Sequence, residues 1–496
     1  MLDPLSPSDW NFETAKHLLN RAAFGGTPEE IERARNQGLA TSVNRLVDVT
    51  SDAFKVAPPS WAHPENLQQH RMQVRTAKQQ GVGEAKDKMK EFRELQGKHL
   101  LDLRQWWLDR MMTTPAPLLE KMTLFWHGHF ATSAEKVQNG YWMWRQNDTL
   151  RRGALGNFVS LTKAMSRDPA MMIYLDLQHS RKEHPNENWS RELMELFTVG
   201  IGNYSENDIR ESARAFTGYM LDNTNQQSRF ATRQHDNANK TFLGQEGAWN
   251  GDDIIDLLAR QPACARFIAK KLWRFLAEDE PAGPIVEALA ARIRLHNYEM
   301  APVLRELFTS AEFYSPRVRQ TQVKSPVQYL VGTSKLLASE LPPAQVAQNA
   351  MRQMGQLLFA PPNVKGWDGG KAWVSTSTLL FRYNFANYLV SGDAMRPAQD
   401  PRGGKARDPG FRPGAAPADI PQRDPIDVQK IAPPELRDQP AQLVAKLSAR
   451  FLGGAVPENE HSAFVRFLEE RRSDTSDQTM RELLHLMMST PQFQLA

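Results

Sequence analysis

The chain has 496 residues, of which 41% are apolar and 24% charged, an ordinary globular balance in a chain long enough for a large core or for roughly two or three domains. Its 61 basic and 57 acidic residues leave a net charge of +4, which describes a mixed surface and demands no nucleic-acid partner. A single cysteine, Cys264, excludes an intramolecular disulfide and a cysteine-rich zinc site, and no apolar run reaches the ~18 residues of a membrane span.

The chain opens with MLDPLSPSDWNFETAKHLLNRAAFGG, which has no basic region followed by an apolar one. As written it carries no export signal and is expected in the cytoplasm. ETAKHLLNRAAFG has helical periodicity and stops at Gly25-Gly26. TPEEIERARNQG follows with Thr27 as N-cap, Pro28 in the first turn and Glu30 at the capping-box position. Residues 64–98 are charged and Gln-rich and predict an exposed helical arm. HLLDLRQWWLDRMM and PAPLLEKMTLFWHGHF are two amphipathic helices split at Thr113-Thr114-Pro115. Helical pattern continues from Tyr141 to Leu177, then through NENWSRELMELF, with Gly200 as a stop, and again after Ser205, a good N-cap. Residues 219–252 are irregular. A second helical stretch runs from Asp252 to Ser339, with Phe267, Ile268, Leu272, Phe275 and Leu276 on one stripe and Cys264 as a small core residue. Residues 396–436 are rich in Pro, Gly, Arg and Asp and read as a linker or surface excursion. The expected class is mainly α, a multi-helical array with long irregular loops and little or no sheet. Its main helical domain covers 1–395, and a helical segment, 437–496, packs on it.

Four places could carry chemistry. In LFWHGHF, His127 and His129 would point about 200° apart on a continuous helix. A left-handed Gly128 would end that helix and turn His129 back toward His127, making a metal-binding corner. Histidines capping a helix C-terminus fit the same residues. In NENWSRELMELF, Asn188, Glu192 and Glu195 fall in a roughly 60° sector at the edge of the apolar face. Arg191 can pair with Glu187 or Glu195, so the carboxylates serve either acid–base or metal chemistry or a surface ion-pair ladder. Gln234-His235-Asp236 is either a site element or an Asx turn. In PPNVKGWDGGKAWVSTST, Trp367 and Trp373 project from a Gly-rich loop, suited to a flat sugar or aromatic ligand or to packing. P-loop, dinucleotide-binding, nucleophile-elbow, H-E-x-x-H and EF-hand motifs are absent.

HLLNRAAFGGTPEEI, LFWHGHFATSAEKV, NENWSRELMELFTVGIGNYSENDIRESARAFTGY, RFIAKKLWRF and PPNVKGWDGGKAWVSTSTLLFRYNFAN together resemble the bacterial domain-of-unknown-function 1800 family. The likeness covers nearly the whole chain. It implies a large, mostly helical bacterial protein without assigned catalytic residues. Its members are often exported and encoded beside a sulfatase-like family, which makes a sulfatase-like protein the partner the resemblance implies. The missing export signal departs from that pattern.

The chemistry alone leads to an expected metal-dependent hydrolase acting on a glycan or other polymer. His127, His129 and His235 would hold a divalent metal with Glu192 or Glu195, and the other carboxylate would act as base. Trp367, Trp373 and Asn188 would hold the substrate, with Arg191 among the catalytic groups. A metal-free glycosidase built on Glu192 and Glu195, and a helical scaffold docking a partner protein through 64–98 and 396–436, are the alternatives.

Overall fold

The computed structural model describes residues 2–64, 69, 72–77, 82–222, 226–395, 420–453 and 456–496. Helices dominate these residues, and their only sheets are two small antiparallel pairs. Tyr219–Asp222 pairs with Gln227–Phe230, and Lys240–Phe242 with Gln245–Gly247, both inside the stretch expected to be irregular. No helix among the described residues is long and apolar enough to cross a membrane.

Local signals act where expected. Thr27 accepts from the Glu30 amide while the Glu30 carboxylate takes the Thr27 N–H, closing a capping box with Pro28 in the first turn. Ser205 caps Glu206–Ala215 in the same way through Asp208. The Thr113–Pro115 break separates a 32-residue helix, Val82–Thr113, from Pro117–His129. Much of the charged arm is therefore the first half of that long helix; the rest of 64–98, apart from 64, 69 and 72–77, lies outside the described residues.

The core has two large parts. One gathers buried side chains between Leu18 and Val318 and includes the stripe of Pro262–Leu276, where Ile268, Leu272 and Leu276 are fully buried beside Cys264. Each such side chain stabilises the fold by about 1.5–3 kcal/mol. The other joins Leu103 and Trp107 of the long helix to residues 327–390 and to the C-terminal segment. There Met480, Leu483, Leu484 and Met487 bury one helical face against Thr376–Ser391. Part of the stretch 396–436 that reads as a linker or surface excursion packs into the core. Residues 396–419 lie outside the described residues, but Ile420 bridges to Met395, and Ile426, Val428 and Ile431 are core residues. Three β-branched apolar residues within six positions outweigh the neighbouring prolines.

The helix carrying the two histidines is anchored by a buried charge cluster. Glu120 is fully buried and accepts from Trp107 Nε1 at 2.8 Å, from Arg151 Nε and Nη2 at 2.8 and 3.0 Å, and from Arg110. One carboxylate thus ties the long helix, Pro117–His129 and Gly140–Gly153 together.

Candidate active site

Pro117–His129 does not stop at Gly128. The helix runs through it to His129, and the glycine is not left-handed. The expected corner is therefore absent, and the two imidazoles leave the helix on different faces. His127 Nε2 accepts the Phe359 amide N–H at 3.1 Å, with the Trp107 and Phe359 rings 5.2 and 4.8 Å away. Burial, with Arg104 adding to it, pushes His127 down to about 3. His129 Nε2–H donates to the Phe197 carbonyl at 3.1 Å, and its Nδ1 accepts from Lys271 Nζ at 3.2 Å. Burial and the Lys271 charge hold His129 well below the usual imidazole range.

His127 makes a concrete prediction. Because its folded pKa lies below the unfolded 6.5, the unfolded chain takes up a proton first as pH falls. His127 thus contributes stability above about pH 6.5 that is lost on the way toward about 3. His127→Leu should cost about 1–3 kcal/mol at pH 7 by leaving the Phe359 N–H unpaired. It should also flatten the pH dependence of urea unfolding in that window.

The glutamate helix departs from expectation in a useful way. Glu187–Glu192 is α-helical, but Leu193–Thr198 is a π-helix. The Val199 and Gly200 amides both return to the Met194 carbonyl, at 3.1 and 2.9 Å, and Gly200 is left-handed. The widened last turn leaves the Leu196 and Phe197 carbonyls without helical partners. They are taken by Lys271 Nζ, at 2.9 Å, and by His129. The 100° wheel therefore fails after Glu192. Glu195 lines a cavity and accepts from Tyr204 Oη at 3.2 Å, while Glu192 does not line it. Burial, then Glu195, raises Glu192 above its ordinary value. Arg191 turns outward to Glu206, at 2.9 and 3.0 Å, and to Glu187. Asn188 Nδ2 donates to the Leu175 carbonyl. Neither of these two lines the cavity.

The cavity has a volume of about 430 Å³. One wall is Gly128, His129, Glu195, Leu196, Phe267 and Lys271; the other is the loop bearing Lys365, Trp367 and Trp373. Both tryptophans line the cavity. Gly366 sets the distance between the walls. It is left-handed, with φ +86°, and a Cβ there would lie 2.4 Å from the Gly128 carbonyl oxygen. Lys121 lies deeper and donates to Gln328 Oε1 at 3.1 Å.

Two lysines distinguish this cavity. Neither Lys121 nor Lys271 has a carboxylate within ion-pair distance among the described residues; their partners are an amide, a carbonyl and an imidazole. Burial, reinforced by Lys365 and Arg274, pushes Lys271 down to about 7. Burial and Arg21 push Lys121 down to about 7. Neither was singled out from the sequence, although Phe267, Lys271 and Phe275 share one stripe at four-residue spacing. A lysine inside an apolar stripe was the available signal.

His235 does not join the site. Its Nδ1–H donates to the Thr217 carbonyl at 2.9 Å, and its ring packs on Phe230. Asp236 pairs with Arg214 at 2.7 Å and accepts from the Ala238 amide, which is the Asx-turn reading. A divalent metal held by His127, His129 and His235 does not fit these contacts. Both ring nitrogens of His129 and one of His127 are engaged within the protein, and the three rings face different surroundings. Among the described residues no group of three or more His, Cys, Asp or Glu is arranged to hold a metal ion.

No curated protein and no solved structure matches the chain. The motifs that line the cavity are the same stretches that carry the family resemblance, and the model of one family, described as a protein of unknown function (DUF1800), matches residues 17–495, so the chain belongs to that family.

Proposed function

We propose that the cavity is an active site in which the Lys271 amine is the catalytic base of a hydrolytic reaction on an acidic glycan. One observation carries this reading. In its neutral form Lys271 has two N–H groups, and the structure supplies two acceptors for them, His129 Nδ1 and the Leu196 carbonyl. The lone pair is left over, on a residue that lines the cavity. With its pKa near 7, the amine is matched to proton transfer at neutral pH.

Lys271 takes a proton from a water. The hydroxyl oxygen bonds to the anomeric carbon as the bond to the leaving oxygen breaks, the leaving oxygen takes a proton from a water on the opposite face of the ring, and the ammonium releases its proton to solvent. Glu195, held by Tyr204, orients the water from the same wall. His129 is fixed with its proton on Nε2 by Phe197, so its Nδ1 remains an acceptor that positions the amine. Trp367 and Trp373 offer apolar area to a sugar ring. The charge of Arg274 on the cavity lining favours a ligand carrying a carboxylate.

The test uses oligosaccharides of uronic acids and neutral ones of the same length, read by tryptophan fluorescence and by release of reducing ends. Saturable binding and turnover of the acidic series are expected, with turnover rising as pH passes through about 7. Lys271→Met should lower turnover by at least about 100-fold, the range typical of a lost general base. Wild-type protein that neither binds nor cleaves the acidic series overturns the proposal.

A further inference from the structure

A second, smaller cavity of about 30 Å³ lies in the seam between the N-terminal helix Phe12–Ala22, the helix Pro326–Leu336 and the C-terminal segment. Three cations line it, Lys16, Lys324 and Arg450, together with the amides of Asn20, Gln320 and Gln492. No aspartate or glutamate does. The lysines donate to backbone carbonyls, Lys16 Nζ to Ala449 at 3.0 Å and Lys324 Nζ to Phe493 at 2.6 Å, and Lys324 Nζ also lies 4.1 Å from the centre of the Phe493 ring. Arg450 Nε donates to the Leu336 carbonyl at 2.6 Å. Among the described residues none of the three has a carboxylate within 4 Å; Glu13 and Glu29 act on Lys16 and Arg450 only from a distance. Gly453 closes the seam, since a Cβ there would fall 3.4 Å from Lys16 Nζ and 2.2 Å from Gln320 Nε2.

We infer that this seam is a binding site for one small inorganic oxyanion, phosphate or sulfate, bridging the N-terminal helix and the C-terminal segment. Buried charge is costly unless paired, and here Lys16 acts on Lys324 beside a space that no aspartate or glutamate lines. Burial, opposed only in part by Glu13, pushes Lys16 down to about 8, and burial with Lys16 and Arg382 pushes Lys324 down to about 7. A bound dianion removes that penalty. The volume of about 30 Å³ exceeds the roughly 10–15 Å³ that one water needs, so the space admits a small polar ligand. Gln328 lines both cavities and separates them, so the site stands apart from the larger one.

Equilibrium dialysis of the full chain with orthophosphate, and separately with sulfate, at constant ionic strength and pH 6.5, tests this. The expected result is one saturable site per chain for at least one of the two ions, accompanied by a rise in thermal midpoint. Lys16→Met and Lys324→Met should each weaken it more than tenfold, while Lys271→Met in the larger cavity leaves it unchanged. Should either lysine variant fail to fold, Gln320→Ala, which removes a neutral donor at the same cavity, is expected to weaken binding in a folded chain. No saturable binding of either oxyanion to wild type overturns the inference, as does binding that survives all three substitutions in the seam or is lost in Lys271→Met.

Discussion

Glu120→Ala should destabilise the protein by about 3–5 kcal/mol, the loss expected when one partner of a buried ion pair is removed and the other remains. Arg151 is almost fully buried and would lose both bonds to the carboxylate, keeping Asn147 Oδ1 at 2.7 Å as its neutral partner. Arg110 and Trp107 Nε1 would lose theirs as well. Urea unfolding measures the loss. Its pH dependence carries a second signature. Burial works to raise the Glu120 pKa, but Arg151 and Arg110 overcome it and hold the carboxyl below its ordinary 4.5. The contribution is therefore complete above about pH 4.5 and is lost as pH falls through the lower folded value. Glu120→Ala should remove that share of the acid sensitivity. Because Glu120 positions the helix that carries His129, the variant should also weaken ligand binding in the larger cavity.

Gly366→Ala and Gly128→Ala should behave oppositely. At Gly366 the left-handed backbone alone costs a residue with a Cβ about 1–3 kcal/mol, and the added methyl would press on a backbone oxygen that cannot swing away. The loop would have to lift, moving Lys365 and Trp367 from the opposite wall. The expected outcome is a folded but less stable protein, with ligand affinity reduced more than tenfold. At Gly128 a Cβ meets nothing within 4 Å and the conformation is helical, so alanine should be neutral or stabilise by up to about 1 kcal/mol. Thermal or urea unfolding of the two variants side by side decides this. A large loss at Gly128 would restore the idea that it ends the helix.

Those two glycines show where sequence patterns suffice and where they do not. Caps and breaks are local, so Thr27, Ser205 and the Thr113–Pro115 break were legible from a few neighbouring residues. The apolar stripe of Pro262–Leu276 was legible because burial repeats with the helical period. Gly128 misled because its special requirement belongs to its distant neighbour: Gly366 must be a glycine so that the two backbones can touch. Glu192 and Glu195 could not be told apart on a 100° wheel, since the π-turn that sends only Glu195 to the cavity is set by tertiary partners of the Leu196 and Phe197 carbonyls. His235 and Asp236 are explained by a turn and an ion pair to Arg214, a partner 22 residues away in sequence. Trp367 and Trp373 were placed by composition alone, a glycine-rich loop with two indoles, and they line the cavity. The lysines escaped notice because charge in an amphipathic helix is ordinarily assigned to its solvent face.

The role given to Lys271 can be measured without knowing the substrate. Lysines labelled with ¹³C at Cε report their own titration by NMR, and the Lys271 signal is identified by its disappearance in Lys271→Arg. With burial, Lys365 and Arg274 acting together, its midpoint should fall near pH 7, against an ordinary value of 10.5. It should fall further in His129→Phe, because an acceptor that favours the ammonium over the amine is lost. A Lys271 resonance that titrates near 10.5 in the wild-type protein would contradict a neutral amine in the cavity, and with it the base at the centre of the proposed reaction.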